Sequence, residues 1–127
     1  MDFHETQAIY QQVADHVCEM ILRRVWPESE RIPSVREMAM DLQVNPNTVN
    51  KGYAYLQDQE LIYNQRGIGY FVAEGALERT RTIKRADFFE TELPRAFKTM
   101  HLLDIPAEEI VSRYNEYRRK QDEEANK

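Results

Sequence analysis

Residues 34–51, SVREMAMDLQVNPNTVNK, carry the start signals of two short helices. Ser34 and Glu37 have the S-x-x-E spacing of a capping box, in which each side chain accepts a hydrogen bond from a backbone N–H of the first turn. The apolar residues that follow recur at helical spacing: Val35, Met38, Ala39 and Leu42. This pattern predicts a first short helix that begins directly after Ser34.

A second helix start follows almost at once. Asn45 is a strong N-cap, and Pro46 takes the first helical position, where its missing N–H costs nothing. Val44 and Val49 occupy the two positions of a hydrophobic staple, which fixes the angle at which the chain enters the helix. Two capped helices separated by a turn of about three residues predict a helix-turn-helix.

Length and composition limit the class of protein. The chain has 127 residues, of which 42% are hydrophobic and 31% are charged, which suits one domain with an appendage. Its apolar runs are shorter than the roughly 18 residues of a membrane span, and its N-terminus does not resemble a signal peptide. The single cysteine, Cys18, excludes an internal disulfide framework. We therefore expect a soluble cytoplasmic protein.

The net charge of −5 argues at first against a nucleic-acid partner. The deficit lies in residues 1–75, which contain 6 Lys and Arg against 11 Asp and Glu, whereas residues 76–127 contain 11 of each. Phosphate binding depends on the charge of the contacting face rather than of the whole molecule. Any binding to nucleic acid must therefore depend on a few well-placed cations.

Residues 6–25 are predicted to form an amphipathic helix that ends at Trp26-Pro27. Its apolar stripe comprises Ile9, Val13, Val17, Met20, Ile21 and Val25. We interpret this helix as core scaffold. Tyr10 and Gln11 at its start are within possible reach of a phosphate, although nothing in the sequence requires that role.

The second helix of the helix-turn-helix is predicted from Pro46 to about Gln59. Its inner face comprises Val49, Gly52, Tyr53 and Leu56, and its outer face comprises Asn47, Thr48, Lys51 and Tyr55. Asn pairs with adenine, and Lys reaches guanine or a phosphate. The outer face thus suits insertion in a major groove, and the alternative is an ordinary solvated face.

Arg36 lies near the start of the first helix, beside its exposed N–H groups. A phosphate is favoured at such a position, and the alternative is a solvated arginine that pairs with Glu37 or another nearby carboxylate. Farther along, the β-rich runs 61–63 and 70–72 flank Asn64-Gln65-Arg66-Gly67-Ile68-Gly69 and predict a hairpin. Arg66 at its tip is placed to reach a DNA backbone or minor groove, unless the hairpin is purely structural.

The last part of the chain has two further apolar stripes at helical spacing. They comprise Phe89, Leu93, Ala96, Phe97, Met100 and Leu103, then Ile110, Val111, Tyr114 and Tyr117, and a charged tail follows from 118 to 127. Pro94 is expected to kink the first helix or to start a new segment. Two helices cannot enclose a sizeable pocket. Two exposed apolar stripes are better buried against a second copy of the chain than left in contact with water. The alternative is packing back on the same molecule.

Residues 7–75 resemble the N-terminal winged-helix domain of GntR-type bacterial transcription regulators. Four segments carry the resemblance: Ile9-Tyr10-Gln11-Gln12, residues 31–39 (RIPSVREMA), Val44-Asn45-Pro46-Asn47-Thr48-Val49 and residues 65–72 (QRGIGYFV). The resemblance implies a mainly α fold with a small β-hairpin, in which a winged helix-turn-helix precedes a helical dimerisation tail. Its implied DNA contacts are Arg36, Asn45, Asn47, Thr48, Lys51, Arg66 and Gly67.

Residues 76–127 resemble the short two-helix tail of the YtrA-type subfamily, which serves dimerisation. The implied dimerisation residues are Phe89, Leu93, Phe97, Met100, Leu103, Ile110, Tyr114 and Tyr117. The expected protein is a homodimeric, sequence-specific regulator, with a repressor favoured, that binds a pseudo-palindromic site on double-stranded DNA. The sequence does not identify an effector. A winged-helix adaptor that binds only proteins is the alternative.

The chain departs from the family pattern in three places. Glu60 stands where glycine is usual before the wing, and Glu28-Ser29-Glu30 replaces a Pro-Gly-type loop. Asn50-Lys51-Gly52 replaces the usual Arg-Ala ending, so Lys51 is the only cation of its helix. Cationic contact from this helix is therefore expected to be sparse.

The sequence does not contain the clustered titratable groups that an enzyme needs. His4, His16 and His101 lie far apart without metal-ligand spacing, and Cys18 lacks nearby cations that would mark a nucleophile. We predict neither catalysis nor a metal or cofactor.

Overall fold

The computed structural model describes residues 7–126. Its helices are α1 (Ile9–Leu22), α2 (Val35–Leu42), α3 (Pro46–Asp58), α4 (Ala76–Asp87), α5 (Leu93–Leu102) and α6 (Ala107–Ala125), its strands are β1 (Ile62–Gln65) and β2 (Gly69–Val72), and a π-helical turn (Phe88–Glu92) lies between α4 and α5. The chain divides into two compact units after Lys84.

The core of the first unit forms where α1 and α2 pack against α3. Its buried apolar residues are Val13, Ala14, Val17, Cys18, Ile21, Ile32, Met38, Ala39, Val49, Tyr53, Leu56, Leu61, Ile62, Val72 and Ala76. The predicted inner faces of α1 and α3 are largely confirmed. Hydrophobic burial of these faces is the main favourable term that holds the three helices together.

The helix predicted over residues 6–25 is shorter in the structure, where α1 covers Ile9–Leu22. Ile9 and Val25 were assigned to the core stripe, yet they are 49% and 55% exposed. The helix ends at Leu22 because Arg24 adopts a left-handed conformation (φ 60°). The N–H of Val25 then bonds the carbonyl of Met20 at 2.9 Å, which takes Val25 off the stripe. The predicted start at Thr6 lies outside the described residues.

Both caps of the helix-turn-helix are confirmed. The Ser34 hydroxyl accepts from the Glu37 N–H at 3.1 Å, and the Glu37 carboxylate accepts from the Ser34 N–H at 3.0 Å. Between α2 and α3 the chain turns at Gln43 (φ 55°), with the N–H of Val44 bonded to the carbonyl of Ala39 at 3.0 Å. These bonds satisfy backbone groups that a helix end leaves open.

The predicted hairpin is also confirmed, with a different extent. β1 and β2 are antiparallel, from Ile62 opposite Val72 to Gln65 opposite Gly69. Leu61, which was predicted to start the first strand, precedes β1 and is buried. Residues 29–32 also pair with the free edge of β2, where the Ile32 N–H bonds the Tyr70 carbonyl at 2.9 Å. This pairing occupies backbone groups that an edge strand would otherwise expose.

The start of α4 belongs to the first unit. Ala76 and Thr80 are fully buried, and Lys84 forms an ion pair with Asp15 of α1. Gln7 donates to the other oxygen of the same carboxylate at 2.8 Å. The beginning of α4 is therefore part of the packed structure that supports the helix-turn-helix.

The expectation that Pro94 interrupts its helix is confirmed by the π-helical turn. The N–H of Leu93 bonds the carbonyl of Phe88, five residues back, and the wider turn accommodates the proline ring and its missing N–H. The charged tail predicted from residue 118 is helical as far as Ala125, where α6 ends. Arg119 pairs there with Glu116 and Glu123 at 2.6 and 2.5 Å, at spacings that stabilise an exposed helix.

Within the described chain, every residue from 85 onward is exposed or only partly buried. None of the helices in residues 7–126 is long and apolar enough to cross a bilayer.

Candidate nucleic-acid interface

The outer face of α3 presents the polar side chains that the sequence predicts. Asn47 and Lys51 are exposed and Thr48 is partly buried. Val49 and Leu56 on the opposite face are fully buried in the core. Because the inner face anchors the helix, the outer face is held rigidly toward solvent and is free to enter a groove.

Tyr53 fixes α3 relative to the two elements beside it. Its hydroxyl donates to the carbonyl of Pro33 at 2.7 Å, directly before the start of α2. Its ring meets Tyr70 of β2 edge-to-face, with the centroids 4.9 Å apart. Burial raises the pKa of the Tyr53 hydroxyl well above its ordinary value, so the group remains a neutral donor. The helix-turn-helix and the hairpin are thereby joined through one side chain.

Asn45 has a structural role that the resemblance alone does not reveal. Its Oδ1 accepts from the Asn47 N–H at 2.8 Å, so this oxygen is engaged in capping α3. The amide NH₂ group is the part of the side chain that can donate to a phosphate oxygen. The predicted DNA contact of Asn45 is therefore restricted to that group.

Arg36 is exposed in the first turn of α2. The predicted alternative, an ion pair with Glu37, does not form, since the Glu37 carboxylate accepts from the Ser34 N–H instead. That hydrogen bond lowers the pKa of Glu37, which keeps the carboxylate ionised. In residues 7–126 the Arg36 side chain makes neither a hydrogen bond nor an ion pair. Arg36 belongs to the first turn of α2, at the positive end of the helix, where an anion is favoured.

The tip of the hairpin is an open turn. The N–H of Ile68 bonds the carbonyl of Gln65 at 2.9 Å, which places Arg66 and Gly67 at the two central positions. Gly67 has φ 79°, the conformation that a type II turn requires at its third residue. A Cβ added at Gly67 would have no atom within 4 Å. The backbone here is accessible to a partner, and Arg66 is exposed beside it.

Arg31 is a cation at this edge that sequence reasoning did not assign to the site. It forms an isolated bridge with Phe71, and its Nε lies 2.8 Å from the position that a Cβ on Gly69 would take. The glycine therefore makes room for the arginine next to the turn of the hairpin, where Gly69 pairs with Gln65. The pairing of residues 29–32 with β2 brings Arg31 close to Gly69. This pairing is not evident from the sequence, because the polar composition of the segment does not indicate a strand.

Lys51 also has a partner that sequence reasoning did not foresee. Its Nζ lies 4.2 Å from the ring centroid of Tyr10 in α1. The sequence places these residues in separate helices, and only the packing of α1 on α3 brings them together.

The paired helices, the β-hairpin and the exposed cations on α2, α3 and the turn define a winged helix-turn-helix protein. Residues 9–72 match the sequence profile described as bacterial regulatory proteins, gntR family. The chain belongs to the GntR family, which confirms the resemblance inferred from the sequence.

Solved structures share this fold over most of the chain. A GntR-family protein from Bacteroides thetaiotaomicron is 44% identical, with a TM-score of 0.69 over 90% of this chain and 99% of its own. YtrA from Sulfolobus acidocaldarius, a GntR-family transcription factor, is 33% identical, with a TM-score of 0.56 over 72% of this chain and 94% of its own.

The HTH-type transcriptional repressor YtrA from Bacillus subtilis (strain 168) is 34% identical over 76 residues, which are 60% of this chain and 58% of YtrA. The match thus covers less than two thirds of the repressor's length. These relatives support the resemblance to YtrA-type proteins and are named as transcription factors or regulators.

Proposed function

We propose that this protein is a sequence-specific DNA-binding transcription regulator. The observation that carries the proposal is the shared exposure of Arg36, Lys51 and Arg66 on the three elements that a winged helix-turn-helix brings to DNA. In the proposed complex, α3 enters a major groove and the hairpin tip lies on the adjacent backbone.

Each proposed contact has a distinct chemical role. Asn47 reads adenine, and Lys51 reads guanine or neutralises a phosphate. Arg36 and Arg66 bind phosphates, which fixes register without reading sequence. Thr48 contacts a thymine methyl group or a phosphate, Asn45 donates its NH₂ group to a phosphate, and the open backbone at Gly67 permits close approach.

We also propose that residues 76–127, which follow the DNA-binding residues 7–75 in the sequence, form a dimerisation region. Large apolar side chains in this region are exposed, with Phe97 at 54%, Leu103 at 64% and Tyr114 at 59%. The full proposed set is Phe89, Leu93, Phe97, Met100, Leu103, Ile110, Tyr114 and Tyr117. Exposed apolar area of this kind favours a protein partner. A second copy of the chain presents the same apolar stripes, so a two-fold dimer can bury the stripes of both copies against each other.

A two-fold dimer places two α3 helices on one side of a duplex. The expected operator is therefore pseudo-palindromic, with half-sites about one helical turn apart. We propose that the protein represses transcription in the cytoplasm, by analogy with the relative named as a repressor.

DNA binding is tested by selecting bound duplexes from a random pool and measuring affinity at several salt concentrations. Arg36→Ala and Arg66→Ala should weaken binding to all sequences, and each should reduce the salt slope by about one. Arg23→Ala serves as the matched control, because Arg23 is an exposed arginine beyond the end of α1. Unchanged affinity in the double variant Arg36→Ala, Arg66→Ala would disprove the docking arrangement.

Dimerisation is tested by sedimentation equilibrium of the full chain. Phe97→Glu should shift the molecule toward monomer, whereas Lys98→Glu, a charge change at the adjacent exposed residue, should leave the association constant nearly unchanged. Equal effects of the two substitutions would contradict the proposed interface.

A winged-helix adaptor that binds only proteins is the second candidate. The excess of acidic residues in residues 1–75 favours it, because this charge opposes nonspecific attraction to DNA. An adaptor would show no salt-sensitive, sequence-dependent binding in the selection experiment.

A further inference from the structure

Gly52 allows an unusually close approach between α3 and the start of α1. A Cβ added at Gly52 would lie 2.9 Å from the backbone oxygen of Tyr10 and 3.3 Å from Cγ1 of Val13. The glycine is needed for space at this contact. It brings the first turn of α1 directly beside the middle of α3.

The close approach of the two helices also brings Lys51, the residue before this glycine, next to Tyr10. The Nζ of Lys51 lies 4.2 Å from the ring centroid of Tyr10, within the range of a cation–π interaction. Tyr10 is partly buried and Lys51 is exposed. The ring is thus held by the packed helices, while the ammonium group remains accessible to a ligand.

We propose that Tyr10 is a positioning residue that determines which base pair Lys51 reads. A lysine side chain has many rotamers and loses entropy when it is fixed. Contact with one ring face restricts those rotamers before DNA arrives. The N–H groups that point away from the ring remain free to donate to guanine O6 and N7 or to a phosphate oxygen.

The inference rests on the proposed function, because it assumes that α3 enters a groove. Its importance follows from the sequence of α3, in which Lys51 is the only Lys or Arg residue. A residue of α1 outside the helix-turn-helix would therefore control the single cationic contact of α3. If the ring instead held Lys51 away from DNA, loss of the ring would strengthen binding.

The test is a double-mutant cycle on the full-length protein, with a duplex chosen by selection on the wild type and a scrambled duplex as reference. Tyr10→Leu removes the aromatic face, Tyr10→Phe retains it, and Lys51→Ala removes the ammonium group. Tyr10→Leu should weaken binding to the selected duplex about two- to fivefold, with little change on the scrambled duplex. Tyr10→Phe should resemble the wild type.

The decisive quantity is the coupling free energy between the Tyr10 and Lys51 substitutions, which measures how far their effects on affinity depart from additivity. Tyr10→Leu should have no further effect on affinity in the Lys51→Ala background, and it should broaden the selected base preference at the same positions as Lys51→Ala. Additive losses, or tighter binding by Tyr10→Leu, would overturn the inference while leaving the proposed function intact. Failure of the wild type to select any sequence would overturn both.

An NMR measurement without DNA tests the contact between Tyr10 and Lys51 independently of whether the Tyr10→Leu variant folds. In the wild type, the ε-methylene protons of Lys51 should show an upfield NMR shift caused by the Tyr10 ring, and Tyr10→Phe should preserve it. Absence of that shift in the wild type would show that the ring does not hold the side chain, and it would overturn the inference.

Discussion

The guanidinium of Arg79 donates twice to the backbone carbonyl of Glu60, from Nε at 3.0 Å and from Nη2 at 2.6 Å. Nη2 also donates to the carbonyl of Glu74 at 2.7 Å. Arg79 in α4 therefore joins the end of α3 to the segment that follows the hairpin. Its guanidinium thus supplies hydrogen-bond donors to the backbone carbonyls of Glu60 and Glu74, which lie outside the helices.

Replacing Arg79 should destabilise the first unit. Arg79→Ala removes a charged donor from two backbone carbonyls, and we expect a loss of about 1–2 kcal/mol in the free energy of unfolding. The control is Arg81→Ala, because Arg81 lies on the same helix and makes an exposed ion pair with Glu78, for which we expect a loss below about 0.5 kcal/mol. Urea titrations of both variants measure the difference, and equal losses would exclude a special role for Arg79.

Glu60 itself is expected to be a source of strain. It ends α3 with φ 60°, a left-handed conformation that costs a residue with a side chain roughly 1–2 kcal/mol. Glu60→Gly should therefore raise the free energy of unfolding by about 0.5–1 kcal/mol. Ala54→Gly, at an exposed position within α3, should instead lower it by about 1 kcal/mol. Thermal unfolding should separate the two glycine variants by opposite shifts in Tm.

Gly52→Ala should destabilise the protein even though alanine favours helix. The new Cβ would lie 2.9 Å from the Tyr10 carbonyl oxygen, and separation of the two helices should cost about 1–3 kcal/mol. Asn50→Ala is the control, since Asn50 is exposed on the same helix and should tolerate alanine. A Gly52→Ala variant as stable as the wild type in urea would show that α1 and α3 are not in close contact.

Stability should depend on the ionisation of Glu37. The Ser34 N–H donates to its carboxylate and holds the pKa below the ordinary value of 4.5. The charged form therefore contributes stability above pH 4.5, and this contribution is lost as the pH falls through the lowered pKa of the folded state. Glu37→Gln should reduce the pH dependence of unfolding in acid. Glu74→Gln, an exposed carboxylate elsewhere, should leave this component unchanged, and an NMR titration should report the Glu37 pKa directly.

The starts of α2 and α3 could be predicted because their signals are local. Ser34 with Glu37, and Asn45 with Pro46, determine where each helix begins through bonds within one turn. The hairpin was predictable for a similar reason, since β-rich runs flank a turn that contains Gly67.

The end of α1 was harder to predict than that of α3, because glycine is absent at the position where it usually marks a helix end. Left-handed residues follow four helices, and they are Arg24, Gln43, Glu60 and Asp104. Each has a side chain that is compatible with helix, so none of these four residues is itself a stop signal. The physical signal is the backbone conformation, which only the folded chain reveals.

Side-chain contacts between segments that are distant in the sequence could not be predicted from sequence patterns either. The approach of Lys51 to Tyr10 and of Arg31 to Gly69 depends on how helices and strands pack. The candidate DNA contacts could be named from the family resemblance, but the partners that orient them could not. Asn45 is the exception, because its role as the N-cap of α3 was predictable from its position before Pro46.

The π-helical turn ahead of Pro94 has a consequence for the phase of the apolar stripe. A π turn contains about one residue more than an α turn, so it rotates all later side chains of the helix by about 100°. Deleting one residue from 88–92 would leave the hydrophobicity of the tail almost unchanged. It would nevertheless rotate Phe97 and Met100 by about 100° about the helix axis relative to the residues before the deletion. The angular register of the tail is thus encoded by the number of residues before the proline rather than by their chemical character.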